Sequence, residues 1–149
     1  LERSTTSIKT TEQLANLIRK SIPTTKNKID PATKTFQAIR IYLNDEISVL
    51  EKGLIAAEKI LEPDGMLAAV SFHSIEDRIV KNFFLKCGKK KGYSRHRPEH
   101  LHKNHSLEII SKKPILPSQA EINTNNRSRS AKLRIAKRTN YPSYFGETA

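Results

Sequence analysis

The stretch that decides the fold is Met66 to Arg78, MLAAVSFHSIEDR. Its apolar first half, Met66 to Val70, follows a Pro-Asp-Gly turn, and helical spacing resumes after Ser74. A short apolar run bounded by a turn predicts a buried strand. Helix, turn, buried strand and helix in this order are typical of a parallel α/β sheet, where ligands bind at the carboxyl ends of strands. Ser71, His73 and Ser74 are predicted to lie at such an end.

The composition and net charge of this chain indicate which classes of partner it binds. It has 149 residues, which predicts one domain or part of one, and a net charge of +12 with a pI near 10.0. This charge favours a polyanionic partner, first nucleic acid and second a membrane surface. No stretch approaches the roughly 18 apolar residues of a spanning helix, and no signal peptide opens the chain. The single cysteine, Cys87, excludes an internal disulfide, and a cytoplasmic location fits.

Three helices are predicted before the central strand. Thr10 to Gln13 resembles a capping box and opens a helix that ends at Pro23. Asp30 and Pro31 start a second helix. The polar stretch 44–46 then interrupts the apolar pattern, either as a kink or as a second helix start. A third, strongly amphipathic helix follows, with its apolar face at Ile47, Leu50, Leu54, Ala57 and Leu61.

After the central strand, the sequence predicts a helix, a basic loop, two strands with a brief helix between them, and a tail. Ile75, Ile79, Phe83 and Cys87 predict a helix that covers the sheet. Residues 88–106 are predicted to form a solvated basic loop. A short strand over 107–110, a brief helix from Ser118 and a half-buried strand around Ala131, Leu133 and Ile135 follow. The last ten residues are expected to form a loose tail.

Two features indicate an incomplete sheet. A buried parallel strand needs neighbours on both sides, yet only the two later strands can flank Met66 to Val70, and they fit on one side. An edge left uncovered in this way invites pairing with a strand that is absent. The five glycines never cluster, so no nucleotide-cradling turn can be placed. The chain is therefore interpreted as the second half of a sheet domain.

Three motifs resemble one bacterial family. They are residues 31–41 (PATKTFQAIRI) with 44–46 (NDE), residues 71–78 (SFHSIEDR) and residues 126–134 (NRSRSAKLR). In this order they resemble the MraW/RsmH type of S-adenosylmethionine-dependent methyltransferase, over about residues 10–138. One departure is Asp30, where the family usually has a histidine; a substrate role of that histidine would not carry over to this chain, and the alternative is that Asp30 is a better helix cap.

The resemblance implies the following architecture and function. The fold would be α/β, the C-terminal half of a Rossmann-like methyltransferase sheet with about three strands, the last antiparallel. Residues 1–44 would end an inserted helical subdomain, 45–138 would belong to the methyltransferase domain with its basic loop 88–106, and 139–149 would be a tail. The implied reaction is methylation of a cytosine N4 in small-subunit ribosomal RNA. The main S-adenosylmethionine-binding residues would lie in the missing N-terminal half, so this chain alone would be inactive.

The candidate catalytic residues are His73, Ser71, Ser74 and Asp77. A base-modifying enzyme must hold the Watson–Crick edge of an unstacked base. The lone pair of a cytosine amino group is delocalised into the ring, so the site must orient this group and accept a proton. The alternative is structural: Ser74 caps the next helix, His73 is a satisfied polar residue, and the acids favour the helix dipole.

The candidate RNA-binding residues are basic and mostly close to the third motif. No acid occurs between Ile122 and Gly146, and such a run positions RNA through its phosphates. The alternative is an ordinary solvated face. The residues proposed are Arg78, Arg127, Arg129, Lys132 and Arg134, and Lys137 and Arg138 extend the run.

Two other interpretations concern the loop and the whole chain. His96, His100, His102 and His105 lack the spacing of a zinc site, so no metal is predicted. The same charge, together with the absence of a cofactor loop, also fits a non-enzymatic RNA-binding module associated with the ribosome. The partners expected in either case are small-subunit ribosomal RNA or the assembling small subunit, and no membrane.

Overall fold

The computed structural model describes residues 7–22, 30–89 and 105–146. Two compact units are present, Leu1–Glu46 and Ile47–Ala149. Of the predicted basic loop 88–106, residues 90–104 with three of its histidines lie outside the described residues, whereas residues 88–89 form a short strand and the loop prediction is wrong there. In the ranges that are described, no helix has both the length and the apolar content needed to cross a bilayer.

The first unit contains two helices, α1 (Thr11–Ser21) and α2 (Pro31–Leu43). The predicted capping box of α1 is confirmed: the Gln13 amide donates to the Thr10 hydroxyl, and the Thr10 amide donates to the Gln13 side chain, both at 3.2 Å. These bonds satisfy amide groups that have no partner within a helix. A small apolar core is formed by Ala15, Ile18 and Ala32 with Leu14 and Phe36.

Asp30, the departure from the family pattern, begins α2 and ties it to α1. Its Oδ1 accepts from the Ala32 amide at 2.9 Å, as an N-cap does. Its Oδ2 accepts from Nε of Arg19 at 2.9 Å. The Arg19 guanidinium and the Ala32 amide lower the pKa of the Asp30 carboxyl. Asp30 therefore performs a capping role at this position.

The interruption at residues 44–46 separates two helices and is not a kink. Asn44 ends α2, and Asp45 has a φ of 48°, in the left-handed region that Asn and Asp tolerate better than most residues. The third helix, α3, then spans Glu46–Ile60.

The second unit is built on a four-stranded sheet with the order β1-β4-β3-β2. Its strands are β1 (Met66–Ser71), β2 (Gly88–Lys89), β3 (Leu107–Ile109) and β4 (Lys132–Arg138). The last strand is antiparallel to both β1 and β3, and β2 is parallel to β3. The predicted α/β class and the antiparallel last strand are confirmed. β2 was not predicted, because two residues carry no periodicity.

Helices pack on one face of this sheet. α3 and α4 (Ser74–Cys87) contribute Leu54, Val80, Phe83, Phe84 and Cys87 to a core that includes Leu107 and Ala136 of the sheet. A shorter helix, α5 (Gln119–Thr124), and a 3-10 helix (Asn126–Ser130) precede β4. Gly88 lies where α4 meets β3: an added Cβ would be 2.5 Å from the Phe84 carbonyl oxygen.

The predicted strand at Met66 to Val70 is confirmed, but its predicted burial is wrong for one face of β1. Leu67 and Ala69 pack against the core, but Met66 and Val70 on the opposite face are 52% and 57% exposed. Phe72, directly after the strand, is 56% exposed. Among the described residues, β4 pairs with one edge of β1 and no strand pairs with the other. The sequence is apolar on both faces, whereas the helices described here cover one.

The predicted burial pattern of β4 is also corrected. Leu133 and Ile135 were expected on the buried face, but the buried residues are Arg134, Ala136 and Arg138. Leu133 pairs with Val70 and Ile135 with Ala68, so both lie on the face whose β1 residues are exposed. The arginines are buried because each guanidinium finds acceptors beneath the helices and loops.

The expected loose tail is wrong for residues 139–146, which are docked on the second unit. Arg138 Nη1 donates to the carbonyl oxygens of Ser106 and Tyr141 at 2.8 and 2.7 Å. The fully buried Glu58 accepts from the Ser143 hydroxyl and, at 3.0 Å, from the Tyr144 amide. The Phe145 ring stacks on Phe83 with centroids 5.6 Å apart.

Candidate functional site

The sheet topology brings the predicted polar residues to one end. β1 is antiparallel to β4, and Ser71 at the carboxyl end of β1 pairs with Lys132 at the amino end of β4. The residues that follow Ser71 and those that precede Lys132 therefore leave the sheet at the same end. This end carries His73 from one side and the 3-10 helix with Arg127 and Arg129 from the other.

His73 is the N-cap of α4, with its imidazole turned back toward the first turn. Its Nδ1 accepts from the Glu76 amide at 3.4 Å, and the Glu76 carboxylate accepts from the amides of Phe72 and His73 at 2.8 and 3.3 Å. This reciprocal arrangement is a capping box in which histidine occupies the position of serine or threonine. The structural alternative that named Ser74 as the cap is therefore wrong.

The second ring nitrogen of His73 has a different environment. Nε2 lies 3.1 Å from Oε1 of Glu76 but lacks hydrogen-bond alignment, and no described residue bonds to it. Because Nδ1 accepts a hydrogen bond, the proton of the neutral imidazole resides on Nε2. The ring can thus donate a hydrogen bond from Nε2.

The two serines of the motif differ in exposure. Ser71 is 3% exposed, and its hydroxyl donates to the Lys132 carbonyl oxygen at 3.4 Å, a long bond between β1 and β4. Ser74 is exposed at the first helical position of α4. Of the two, only Ser74 presents its side chain to solvent beside His73.

Asp77 is occupied by cations of β4. Its Oδ1 accepts from Arg134 Nε at 2.7 Å and its Oδ2 from Arg134 Nη2 at 3.2 Å, while Lys132 Nζ is 3.4 Å from Oδ2. Hydrogen bonding and charge from Arg134 lower the pKa of Asp77, against the opposing effect of burial. A carboxylate held ionised in this way is a poor proton acceptor.

The predicted RNA-binding residues fall into two groups. Arg78, Arg127 and Arg129 are exposed, and the 3-10 helix that carries the last two is fixed by the Asn125 side chain, which accepts from the Arg127 amide at 3.1 Å. The Lys132 side chain is one third exposed, at 33%, whereas Arg134 is 8% exposed and paired with Asp77. The first group can reach a phosphate without rearrangement.

Within residues 7–22, 30–89 and 105–146, no helix begins at a glycine-rich turn. The glycines are Gly53, Gly65, Gly88, Gly92 and Gly146, and none is next to another. A nucleotide-type cofactor needs a glycine-rich turn at a helix start for close backbone approach. The turns that precede α1, α2 and α4 contain no glycine.

Glu76 has contacts at this site that the sequence did not lead us to expect. It was assigned only to the helix dipole, yet its carboxylate holds the backbone of Phe72 and His73 and lies beside the imidazole. The signal was present in the sequence, because a capping residue followed three positions later by Glu is the pattern of a capping box. The capping box was not recognised because its first position holds a histidine, which is not a usual N-cap residue.

The fold and the positions of these polar residues indicate the structural class of the domain. A mixed sheet covered by helices on one face, with polar side chains collected at the carboxyl end of β1, is part of an α/β domain of the ligand-binding type. The chain belongs to the MraW methylase family, whose family model matches residues 1–139.

The curated relatives that it resembles carry the name ribosomal RNA small subunit methyltransferase H. The protein of Rhodopseudomonas palustris strain BisA53 is 49% identical over 140 residues, covering 94% of this chain and 42% of the relative. The Nitrobacter hamburgensis protein is 50% identical over 135 residues, covering 91% and 41%. The Rickettsia africae protein is 51% identical over 138 residues, covering 91% and 45%. The chain therefore spans about two fifths of the length of these relatives.

Proposed function

We propose that this chain is part of an enzyme that transfers a methyl group from S-adenosylmethionine to the N4 amino group of a cytosine in small-subunit ribosomal RNA. The observation that carries the proposal is the SFHSIEDR motif at the end of β1, held by a capping box beside exposed arginines, in a member of the MraW methylase family. The relatives named for ribosomal RNA methylation support the substrate class. A substrate of this kind places the protein in the cytoplasm.

The chain would form one wall of the base pocket. S-adenosylmethionine, bound mainly by the part of the protein that this chain does not span, supplies an electrophilic methyl group. Ser74 and the Nε2–H group of His73 offer hydrogen bonds to the edge of an unstacked cytosine. The Glu76 carboxylate, whose Oε1 lies 3.1 Å from Nε2 of His73, can accept the proton that the amino group releases, while the imidazole orients the base.

One edge of β1 has no partner strand among the described residues and one of its faces is exposed, and both features support the proposal that a further segment completes the sheet. Met66 and Val70 are more than half exposed at 52% and 57%, although strand residues with apolar neighbours on both faces are normally covered. The relatives have length to spare for such a segment, because this chain covers 42% of the first. We infer that the chain alone lacks activity for this reason.

The exposed basic residues would hold RNA. Arg127 and Arg129 lie at the same end of the sheet as His73, and the chain carries a net charge of +12. Phosphate contacts of this kind position a nucleic acid without reading its sequence. A non-enzymatic RNA-binding module would use the same residues, so charge alone does not separate it from an enzyme.

The test uses the full-length protein and residues 1–149 side by side. Each is incubated with methyl-labelled S-adenosylmethionine and small ribosomal subunits or their RNA, and nucleosides are identified by mass spectrometry after digestion. We expect N4-methylcytidine from the full-length protein and none from the shorter chain. Binding of RNA without methyl transfer by the full-length protein would favour the RNA-binding module, and a 5-methylcytidine product would contradict the proposed chemistry.

A further inference from the structure

The ion pair between Asp77 and Arg134 joins the helix that carries His73 to the strand next to β1. Asp77 lies in the first turn of α4, and Arg134 lies within β4 on the helix-covered face. Two hydrogen bonds of 2.7 and 3.2 Å connect them, and their side chains are 13% and 8% exposed. Arg134 is a register partner of Ala69 in β1. The pair therefore fixes α4 against both β4 and the strand that ends at Ser71.

Such a pair is a weak source of stability but a strong geometric constraint. Removing two charges from water offsets most of their attraction, so replacing a buried pair by apolar residues is often neutral for stability. The two-point contact of a guanidinium with a carboxylate, by contrast, fixes distance and orientation together. Apolar contacts between α4 and the sheet would allow small sliding movements that this contact resists.

The group placed by this constraint is the imidazole of His73. It is the N-cap of the same helix, four positions before Asp77, and its own hydrogen bond to the helix is long at 3.4 Å. Its position relative to Ser71 and Lys132 at the end of the sheet thus depends on where α4 lies. A displacement of about 1 Å in a reacting group can lower a rate on the order of 100-fold.

We propose that Asp77 and Arg134 are positioning residues: their ion pair sets the register of α4 on the sheet and thereby holds His73 at the methyl-transfer site. This inference rests on the proposed function. It replaces the earlier expectations that Asp77 takes part in the chemistry and that Arg134 contacts RNA. The lowered pKa of Asp77 agrees with a carboxylate that stays ionised in this pair at neutral pH.

The experiment compares variants of the full-length protein. Arg134→Lys keeps the charge but loses the two-point contact, and the double variant Asp77→Leu with Arg134→Met replaces the pair by apolar side chains. Lys81→Gln, at an exposed position of α4 one turn from Asp77, is the matched control. The thermal midpoint, kcat, and KM for RNA are measured for each.

We expect kcat of the double variant to fall about 10- to 100-fold with KM for RNA within about two-fold of the wild type. The kcat of Arg134→Lys should lie between the values of the wild type and the double variant, and the kcat of Lys81→Gln should equal that of the wild type. A double variant that is folded and keeps its kcat contradicts the inference. So does a rise in KM at unchanged kcat, which would assign Arg134 to RNA binding.

A second measurement does not depend on activity. The ring resonances of His73, assigned by comparison with His73→Asn, are recorded by NMR in the wild type and in Asp77→Asn. Displacement of α4 should shift these resonances, and Lys81→Gln should leave them in place. Unchanged resonances in Asp77→Asn would overturn the positioning role, even if the wild type proved to lack methyltransferase activity and the proposed function were lost. This readout also decides the matter if the double variant does not fold.

Discussion

His73 occupies a position that a better capping residue could fill. Ser, Thr, Asn and Asp are the preferred N-caps, and the bond from the Glu76 amide to the imidazole is long at 3.4 Å. A local choice that is weaker than the available alternatives often marks a functional position. The neighbouring carboxylate of Glu76, which completes the capping box, also lies beside Nε2 at 3.1 Å. Under the proposed function, capping and chemistry would therefore share the same two side chains.

The variant His73→Asn separates these two roles. Asparagine is a strong N-cap, so stability should stay within about 0.5 kcal/mol of the wild type or rise. If the imidazole orients the base for methyl transfer, kcat of the full-length protein should fall on the order of 100-fold, as misplacement of a reacting group does. Thermal melting and single-turnover methylation measure the two effects. Full activity in His73→Asn would reduce this residue to a cap.

The docking of the C-terminal segment 139–146 could not be predicted from the sequence, because it depends on a contact with a distant residue. Glu58 is one acid among several on the amphipathic helix α3, and nothing in its spacing marks it as buried. It is fully buried because Ser143 and Tyr144, more than 80 residues later, bring it a hydroxyl and an amide donor. Lys86 lies 5.1 Å from the centre of the Phe145 ring and adds a cation–π contact. Contacts at this separation leave no local pattern.

Removing the carboxylate should release this segment. Glu58→Ala leaves the Tyr144 amide and the Ser143 hydroxyl without their acceptor; because both bonds are only partly buried, each loss costs toward the lower end of about 1–3 kcal/mol. We expect the free energy of unfolding, measured in urea, to fall by about 2–4 kcal/mol on this basis. Hydrogen exchange at Tyr144 and Phe145 should accelerate more than at Ala136 in β4.

The matched control lies on the same helix. Glu51 is exposed on α3, so Glu51→Ala removes an equal charge without disturbing a buried contact. Its effect should stay within about 0.5 kcal/mol. Equal losses in the two variants would show that the charge of α3, and not the docking of residues 143–145, is what matters.

At the scale of the whole molecule, the structural features that depend on local periodicity and on turn residues could be predicted from the sequence. The helix starts at Thr10 and Asp30, the strand at Met66 and the unpaired edge beside it follow from local patterns and from counting strands. The burial of the β4 arginines was not predicted. Arg134 is buried where it pairs with Asp77, a residue 57 positions away in the sequence. The same alternation of Leu133, Arg134 and Ile135 is compatible with either face pointing inward. Charge at a strand position is therefore an unreliable guide to exposure when a partner lies on another element.

The division of the basic residues into exposed and buried groups makes a prediction about RNA binding by the full-length protein. Each phosphate contact contributes about 0.7–0.9 to the slope of log K against log salt concentration. The double variant Arg127→Gln with Arg129→Gln should therefore lower the magnitude of this slope by between about 1 and 2. Lys52→Gln with Lys59→Gln removes the same charge from exposed positions of α3 and should leave the slope within error. Filter binding or fluorescence anisotropy across a salt series measures both. If the two double variants lower the slope equally, RNA responds to the net charge of the protein and not to the end of the sheet where Arg127, Arg129 and His73 meet.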